Sequence, residues 1–180
     1  MIILYSAQAQ KYGNTLGLRF GNGTYRTLGM SFEQRLFKHT TFEGIFQSDF
    51  SYNTQAIGLI KQHHPILGKR VNLFTGAGMS FGIEESVFEK ESTKEIVRTY
   101  GNSTLGADVI LGAEITLLGI HVSLDYKPNF NLVGRENWYN GQVGVSVRKV
   151  LLSDRELKKK RRKRIREAKR DERKRKRAGS

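Results

Sequence analysis

Between Thr15 and Val150, apolar and polar residues alternate one for one in runs of about ten residues, separated by short turn-forming stretches, the pattern of a transmembrane β-barrel wall. In Val71-Asn72-Leu73-Phe74-Thr75-Gly76-Ala77-Gly78-Met79-Ser80-Phe81-Gly82-Ile83, residues Val71, Leu73, Ala77, Met79, Phe81 and Ile83 share one face, while mostly Asn, Gly and Ser share the other. Only a strand has a period of two. The rest of the composition agrees with long strands. Proline occurs twice and glycine 19 times, and there is no cysteine for a disulfide framework or a thiolate metal site. No run approaches the ~18 consecutive apolar residues of a membrane helix, so a membrane-spanning form of this chain has to be a closed barrel.

Eight such segments follow one another. In the first, Thr15 to Gly21, Leu16, Leu18 and Phe20 oppose Gly17 and Arg19. Tyr25 to Gln34 sets Leu28, Met30 and Phe32 against Gly29, Ser31 and Glu33, and Thr41 to Ser51 sets Phe42, Phe46 and Phe50 against Glu43, Gln47 and Asp49. Thr54 to His64 is the least regular, and Val71 to Ile83 is the run quoted above. Thr104 to Leu117 opposes Leu105, Val109, Leu111, Ile115 and Leu117 to Asp108, Gly112 and Glu114. Gly119 to Pro128 opposes Ile120, Val122, Leu124 and Tyr126 to His121, Ser123, Asp125 and Lys127. Tyr139 to Val150 opposes Val143, Val145 and Val147 to Gln142, Gly144, Ser146 and Arg148. The expected fold is all-β: a closed antiparallel eight-stranded up-and-down transmembrane β-barrel, with a basic C-terminal tail that is helical or disordered.

An even strand count returns both chain ends to one side. The connections near Phe37 to Thr40, Pro65 to Lys69 and Leu118 to Gly119 then fall on that side and are short. Those at Asn22 to Thr24, Tyr52 to Asn53, Glu84 to Ser103 and Asn129 to Trp138 fall on the other and include the two longest, as in barrels with short periplasmic turns and long outer loops. Aromatic residues near the strand ends, among them Phe20, Tyr25, Phe81, Phe130, Trp138 and Tyr139, suit an interfacial girdle, although aromatics favour any strand.

The ends of the chain differ from its body. Met1-Ile2-Ile3-Leu4-Tyr5 followed by Ala7-Gln8-Ala9 reads as the back half of a signal peptide, with cleavage after Ala9 and a start upstream. From Asp154 to Ser180, 16 Lys or Arg stand against 5 Asp or Glu, a net of +11 out of the +14 of the whole chain. Ser153-Asp154-Arg155-Glu156 fits a capping box that opens a helix. The expected organisation is therefore a residual signal peptide over 1–9, a barrel over 10–152 and a basic periplasmic tail over 153–180.

Several segments resemble the small eight-stranded outer-membrane barrels of Bacteroidetes. They are Gly17-Leu18-Arg19-Phe20-Gly21, Phe42-Glu43-Gly44, Gly76-Ala77-Gly78 and, above all, Ser123-Leu124-Asp125-Tyr126-Lys127-Pro128-Asn129-Phe130-Asn131-Leu132-Val133-Gly134. The last is similar to a D-[WY]-K-P-x-F-x-[LIV]-x-G run in that family's seventh strand. The resemblance spans about residues 15 to 150 and implies an outer-membrane location and no assigned activity. It does not extend to the basic tail.

An eight-stranded barrel has an interior just wide enough for side chains to fill. The inward face holds Arg19, Glu33, Glu43, Asp49, Asp108, Glu114, Asp125, Lys127 and Arg148. Charges of both signs in so narrow a lumen are expected to pair as an ionic plug, since an unpaired charge away from water is costly. Catalysis is not expected. His121, Ser123 and Asp125 share a strand face at alternate positions about 7 Å apart, too far for direct contact. His63 and His64 beside Pro65 read as solvated turn residues, and His39 also falls in a turn. No spacing matches a metal motif, and the glycines form no phosphate-binding loop, so no cofactor is expected.

The tail carries the basic septet Lys158, Lys159, Lys160, Arg161, Arg162, Lys163 and Arg164, continued by Lys169, Arg170, Arg173, Lys174, Arg175, Lys176 and Arg177. Glu156 and Lys160, Asp171 and Arg175, and Glu172 and Lys176 stand at helix-supporting spacing. In isolation such a segment suggests nucleic acid. After the last strand of an outer-membrane barrel it instead meets the periplasm, where the anionic partners are peptidoglycan, lipid headgroups or an acidic envelope protein. The expected protein is thus a non-enzymatic envelope barrel embedded in outer-membrane lipid, with a docking tail. Two other classes stay open: a soluble β domain with a nucleic-acid-binding arm, and a lipocalin-like barrel with apolar faces turned inward around a ligand.

Overall fold

The computed structural model of the protein describes residues 12–67, 70–90, 95–134, 137–153, 159 and 162–167. The signal-peptide segment and most of the basic tail lie outside the described residues. The strands are β1 (Tyr12–Asn22), β2 (Arg26–Arg35), β3 (Thr40–Ser48), β4 (Thr54–Leu67), β5 (Val71–Lys90), β6 (Glu95–Leu117), β7 (Ile120–Val133) and β8 (Tyr139–Ser153). Each pairs antiparallel with the next, and β1 pairs with β8, so the sheet is a closed eight-stranded up-and-down barrel with no free edge. β1 begins and β8 finishes at the same end of it, where Tyr12 pairs with Ser153.

The period of two decides which side chains point in. Along β1, Thr15 and Arg19 are fully buried, while Leu16, Leu18 and Phe20 between them are exposed. The same alternation on β8 buries Ser146 and Arg148 and exposes Val143, Val145 and Val147. Cross-strand pairs such as Leu18 with Val147 and Phe20 with Val145 extend the apolar surface from strand to strand. The outside is therefore a continuous apolar band and the inside is largely polar. A lipocalin-like barrel has the opposite polarity, and a soluble monomer rarely leaves so much contiguous apolar surface uncovered.

The interior is not wholly ionic. Ile45, Ile57, Leu59, Phe74 and Ile110 form a buried apolar cluster on the β3–β6 side of the lumen. This explains the irregular pattern of β4, whose inward face mixes Ile57 and Leu59 with Lys61 and His63. The opposite wall is kept thin by glycine. A Cβ on Gly144 would sit 2.2 Å from Arg19 Nη2, so its absence lets the guanidinium lie against β8.

Two stretches depart from the sequence expectation. Over the described residues, Glu84 to Lys90 and Glu95 to Ser103 are strand and not loop: β5 runs on to Lys90 and β6 starts at Glu95, paired through Val87 with Arg98 and Phe88 with Val97 beyond a register shift at Glu84/Ser86. Two β-rich segments joined by a short connection can pair with each other without a third strand, and polarity alone does not reveal that. Pro128 lies inside β7 rather than at its end. The β6–β7 ladder lapses there, between the pairs Asp108 with Asn129 and Leu111 with Tyr126, because proline has no amide proton to donate. The connection from β6 to β7 is the two-residue turn Leu118-Gly119, with φ of 50° and 83°.

Candidate functional site

The lumen holds the chain's concentration of buried chemistry, and it is crossed by ion pairs between strands that are not neighbours. Midway along, Arg19 on β1 donates from Nη1 and Nη2 to Asp125 on β7 at 2.7 and 2.6 Å, a bidentate pair with both side chains buried. Arg148 on β8 reaches across to Glu43 on β3 and donates to Ser31 Oγ at 2.7 Å and Ser123 Oγ at 3.1 Å. Lys61 on β4 bridges Glu33 at 3.0 Å and Glu43 at 2.7 Å, with its ammonium 4.4 Å from the centre of the Phe74 ring. Further from the chain ends, Lys127 pairs with Asp108 at 2.8 Å. At that end Gln47 Nε2 donates to Gln55 Oε1 at 3.1 Å and to Gln142 Oε1 at 3.2 Å.

Toward the barrel end where Tyr12 pairs with Ser153 lies a second group: Tyr12, Glu33, His63, Asn72, Glu114 and His121, all buried. The Tyr12 hydroxyl donates to Glu33 Oε1 at 2.8 Å, and its ring packs on that of His121 with centroids 4.6 Å apart. His63 has Nδ1 3.0 Å from Glu114 Oε1 and Nε2 2.8 Å from Thr41 Oγ1. Asn72 Nδ2 donates to Glu114 Oε1 at 2.9 Å. His121 has Nδ1 3.0 Å from Thr116 Oγ1.

Of the charges assigned to the inward face, Arg19, Glu33, Glu43, Asp108, Glu114, Asp125, Lys127 and Arg148 lie inside the barrel. Asp49 does not. The chain leaves β3 at Ser48, and Asp49 caps the turn that follows: its Oδ1 accepts from the amides of Ser51 at 2.8 Å and Asn53 at 3.0 Å, and its Oδ2 from Asn53 Nδ2 at 2.5 Å. Phe50 beside it has φ of 58°, so the turn, not the strand period, sets where these side chains point. Partial burial raises the Asp49 carboxyl, but the donors from Asn53 and Ser51 outweigh it and hold the pKa below its ordinary value.

His63 is a second correction, being a lumen residue and not a solvated turn residue. β4 continues to Leu67, so the inward period runs unbroken from Lys61 to His63, while His64 points outward. Lys61, Tyr12, Asn72 and His121 also belong to the buried networks. Extending the alternation through His121-x-Ser123-x-Asp125-x-Lys127 and through Lys61-x-His63 is the signal that finds His121 and Lys61. His121, Ser123 and Asp125 face the same way but engage Thr116, Arg148 and Arg19 respectively, so they do not contact one another as a catalytic unit. In the tail, the described residues Lys159 and Arg162 to Glu167 are exposed, and Lys163 lies 3.8 Å from Glu167 one helical turn on.

No family model matches the chain, and no curated protein matches it. Solved structures do. The N-terminal β-barrel domain of Pseudomonas aeruginosa OprF superposes with a TM-score of 0.56 at 10% identity, covering 77% of this chain and 99% of that one. Neisserial surface protein A (NspA) superposes with a TM-score of 0.52 at 11% identity, covering 77% of this chain and 94% of that one. The fold is that of these small barrels. At such low identity the likeness speaks for the fold and not for a shared activity.

Proposed function

We propose that the protein is an integral outer-membrane β-barrel of structural or accessory function, similar to those of Bacteroidetes, whose basic tail docks on an anionic partner in the periplasm. The observation that carries the reading is the polarity of the wall: an uninterrupted apolar exterior on a closed ladder, around a lumen crossed by buried ion pairs. Such a body is stable only where lipid covers its outside, and a closed barrel satisfies every wall amide without water. A lumen bridged by Arg19 with Asp125 and Arg148 with Glu43 is suited to holding the wall together rather than to passing solutes.

The docking role rests on where the chain leaves the barrel. β8 ends at Ser153 beside Tyr12, so the sequence passes into the cationic run beginning at Lys158 from the barrel end where β1 starts, the end that faces the periplasm in barrels of this design. Peptidoglycan carboxylates, phospholipid headgroups or an acidic protein would meet it there. Fractionation with the outer membrane and a heat-modifiable shift on a denaturing gel test the barrel reading, and a soluble protein lacking the shift overturns it. Removal of residues 154–180 tests the tail: salt-sensitive retention on isolated cell wall should fall, and unchanged, salt-independent retention overturns the docking role.

A further inference from the structure

We propose that the lumen contains a binding site for a transition-series divalent cation of the Zn²⁺ class, formed by Glu33, His63, Glu114 and His121. Glu33, His63 and Glu114 each offer a donor atom within 4.8 Å of the others, and all three are buried. His121 Nε2 lies 3.7 Å from Glu33 Oε2 and 3.6 Å from Glu114 Oε2, beyond hydrogen-bond length from both. It has no hydrogen-bond partner among the described residues, although its side chain is fully buried. Bare separations of this size are not those of a hydrogen-bonded pair. They are close to the ~3.3 Å that separates two ligands of one tetrahedral ion with bonds of ~2.0 Å.

The surroundings are those of metal-binding imidazoles. Each His has one nitrogen against a threonine hydroxyl, His63 Nε2 on Thr41 and His121 Nδ1 on Thr116; His63 Nδ1 faces Glu114 while its Nε2 also lies 3.5 Å from Glu33 Oε1, and His121 Nε2 faces both carboxylates. A hydroxyl or carbonyl on the far nitrogen is how ligating imidazoles are oriented and held in one tautomer. In the tautomer that donates Nδ1–H to Thr116, His121 directs a lone pair at two carboxylates, and a cation between them removes that repulsion. Other donors orient the carboxylates: the Tyr12 hydroxyl lies 2.8 Å from Glu33 Oε1 and 3.2 Å from Glu114 Oε2, bridging the two, and Asn72 Nδ2 donates to Glu114 Oε1 at 2.9 Å.

The charge balance points the same way. Lys61 and Arg148 are both shared by Glu33 and Glu43, so two cations meet two carboxylates. Glu114 has only His63 and His121 as ion-pair partners among the described residues. One negative charge thus stays uncompensated while the imidazoles are neutral. Two nitrogens and two carboxylate oxygens suit Zn²⁺ and its neighbours better than Mg²⁺ or Ca²⁺, which prefer all-oxygen shells. The site needs only the closed barrel, not the tail or its partner.

The test uses the full-length folded protein in detergent, stripped with chelator, exposed to Co²⁺ or Zn²⁺ and dialysed. The expected result is one ion per chain, with the intense visible bands of tetrahedral Co²⁺. His121→Ala and Glu114→Gln should each weaken Co²⁺ binding by about tenfold or more, the lower end for disturbed metal shells. The double variant His39→Ala/His64→Ala, outside the lumen, should leave it unchanged. A heat-modifiable band confirms that each variant has folded. Failure of the wild-type protein to retain an ion overturns the proposal. So does retention by folded His63→Ala/His121→Ala, or loss on removing His39 and His64.

Discussion

Arg148 and Glu43 stand on opposite walls of the barrel, on β8 and β3, and form a fully buried ion pair across the lumen. Ser31 completes it, accepting from Arg148 Nε and donating to Glu43 Oε1 at 2.5 Å. Removing one partner leaves the buried network one charge out of balance, with Lys61 the remaining partner of Glu43 and Glu33 that of Arg148. Arg148→Met and Glu43→Gln are each expected to cost about 3–5 kcal/mol, the penalty for an uncompensated buried charge. The double variant Arg148→Met/Glu43→Gln should recover most of the loss. Urea unfolding in lipid vesicles, followed by the heat-modifiable shift, measures all three, and an additive double variant would show that the pair contributes no coupling.

The outer face makes the opposite demand. Leu18 and Val147 are paired across β1 and β8 near the middle of the wall and point outward. Leu18→Arg should destabilise the protein in lipid by roughly 2–4 kcal/mol, while Leu36→Arg, at the β2–β3 connection near an interface, should cost about 0–1 kcal/mol. The same vesicle unfolding assay compares them. Equal effects at both sites would place Leu18 outside the hydrocarbon.

Leu118 is a leucine in a left-handed conformation, with φ of 50° and a fully exposed side chain. Its conformation costs energy and its side chain packs against nothing that compensates. Leu118→Asn, which tolerates the left-handed region, should gain up to about 1 kcal/mol, and Leu118→Val should lose stability because a β-branched residue is strained there. Thermal unfolding in detergent reports the order Asn, Leu, Val.

Asp49 makes the β3–β4 turn sensitive to acid. Its pKa is depressed in the folded state, so the turn hydrogen bonds stabilise the protein fully above the unfolded carboxyl value of ~3.9. The contribution is lost as pH falls through the lower folded value. Asp49→Asn should therefore reduce stability near neutral pH and reduce it less in strong acid. Proteolysis at 49–53, followed from pH 7 downward, should show the two proteins converging. The effect is small because the carboxylate is partly solvated.

Alternation of side-chain polarity made the wall legible from the sequence, because a strand sends successive residues to opposite faces and a lipid-covered barrel separates apolar from polar across them. That reading reached Leu16, Leu18 and Phe20 outside, and Arg19, Glu43 and Arg148 inside. It failed where another rule took precedence. At Asp49 the turn replaced the strand period, at His63 the inward period held where a solvated turn residue was expected, and from Glu84 onward two polar strands paired with each other.

The sequence by itself determined the strand pattern, the apolar outer face and the identity of most inward charges, since all follow from periods of two along the chain. Only the tertiary structure decided their partners. Arg19 and Asp125, or Glu33 and His121, lie on separate strands whose side chains meet only through closure and register, and nothing in the local spacing encodes which of them meet. The approach of Glu33, His63 and Glu114 to one another in the lumen, with His121 Nε2 facing both carboxylates, is a property of the closed barrel, not of any segment of it.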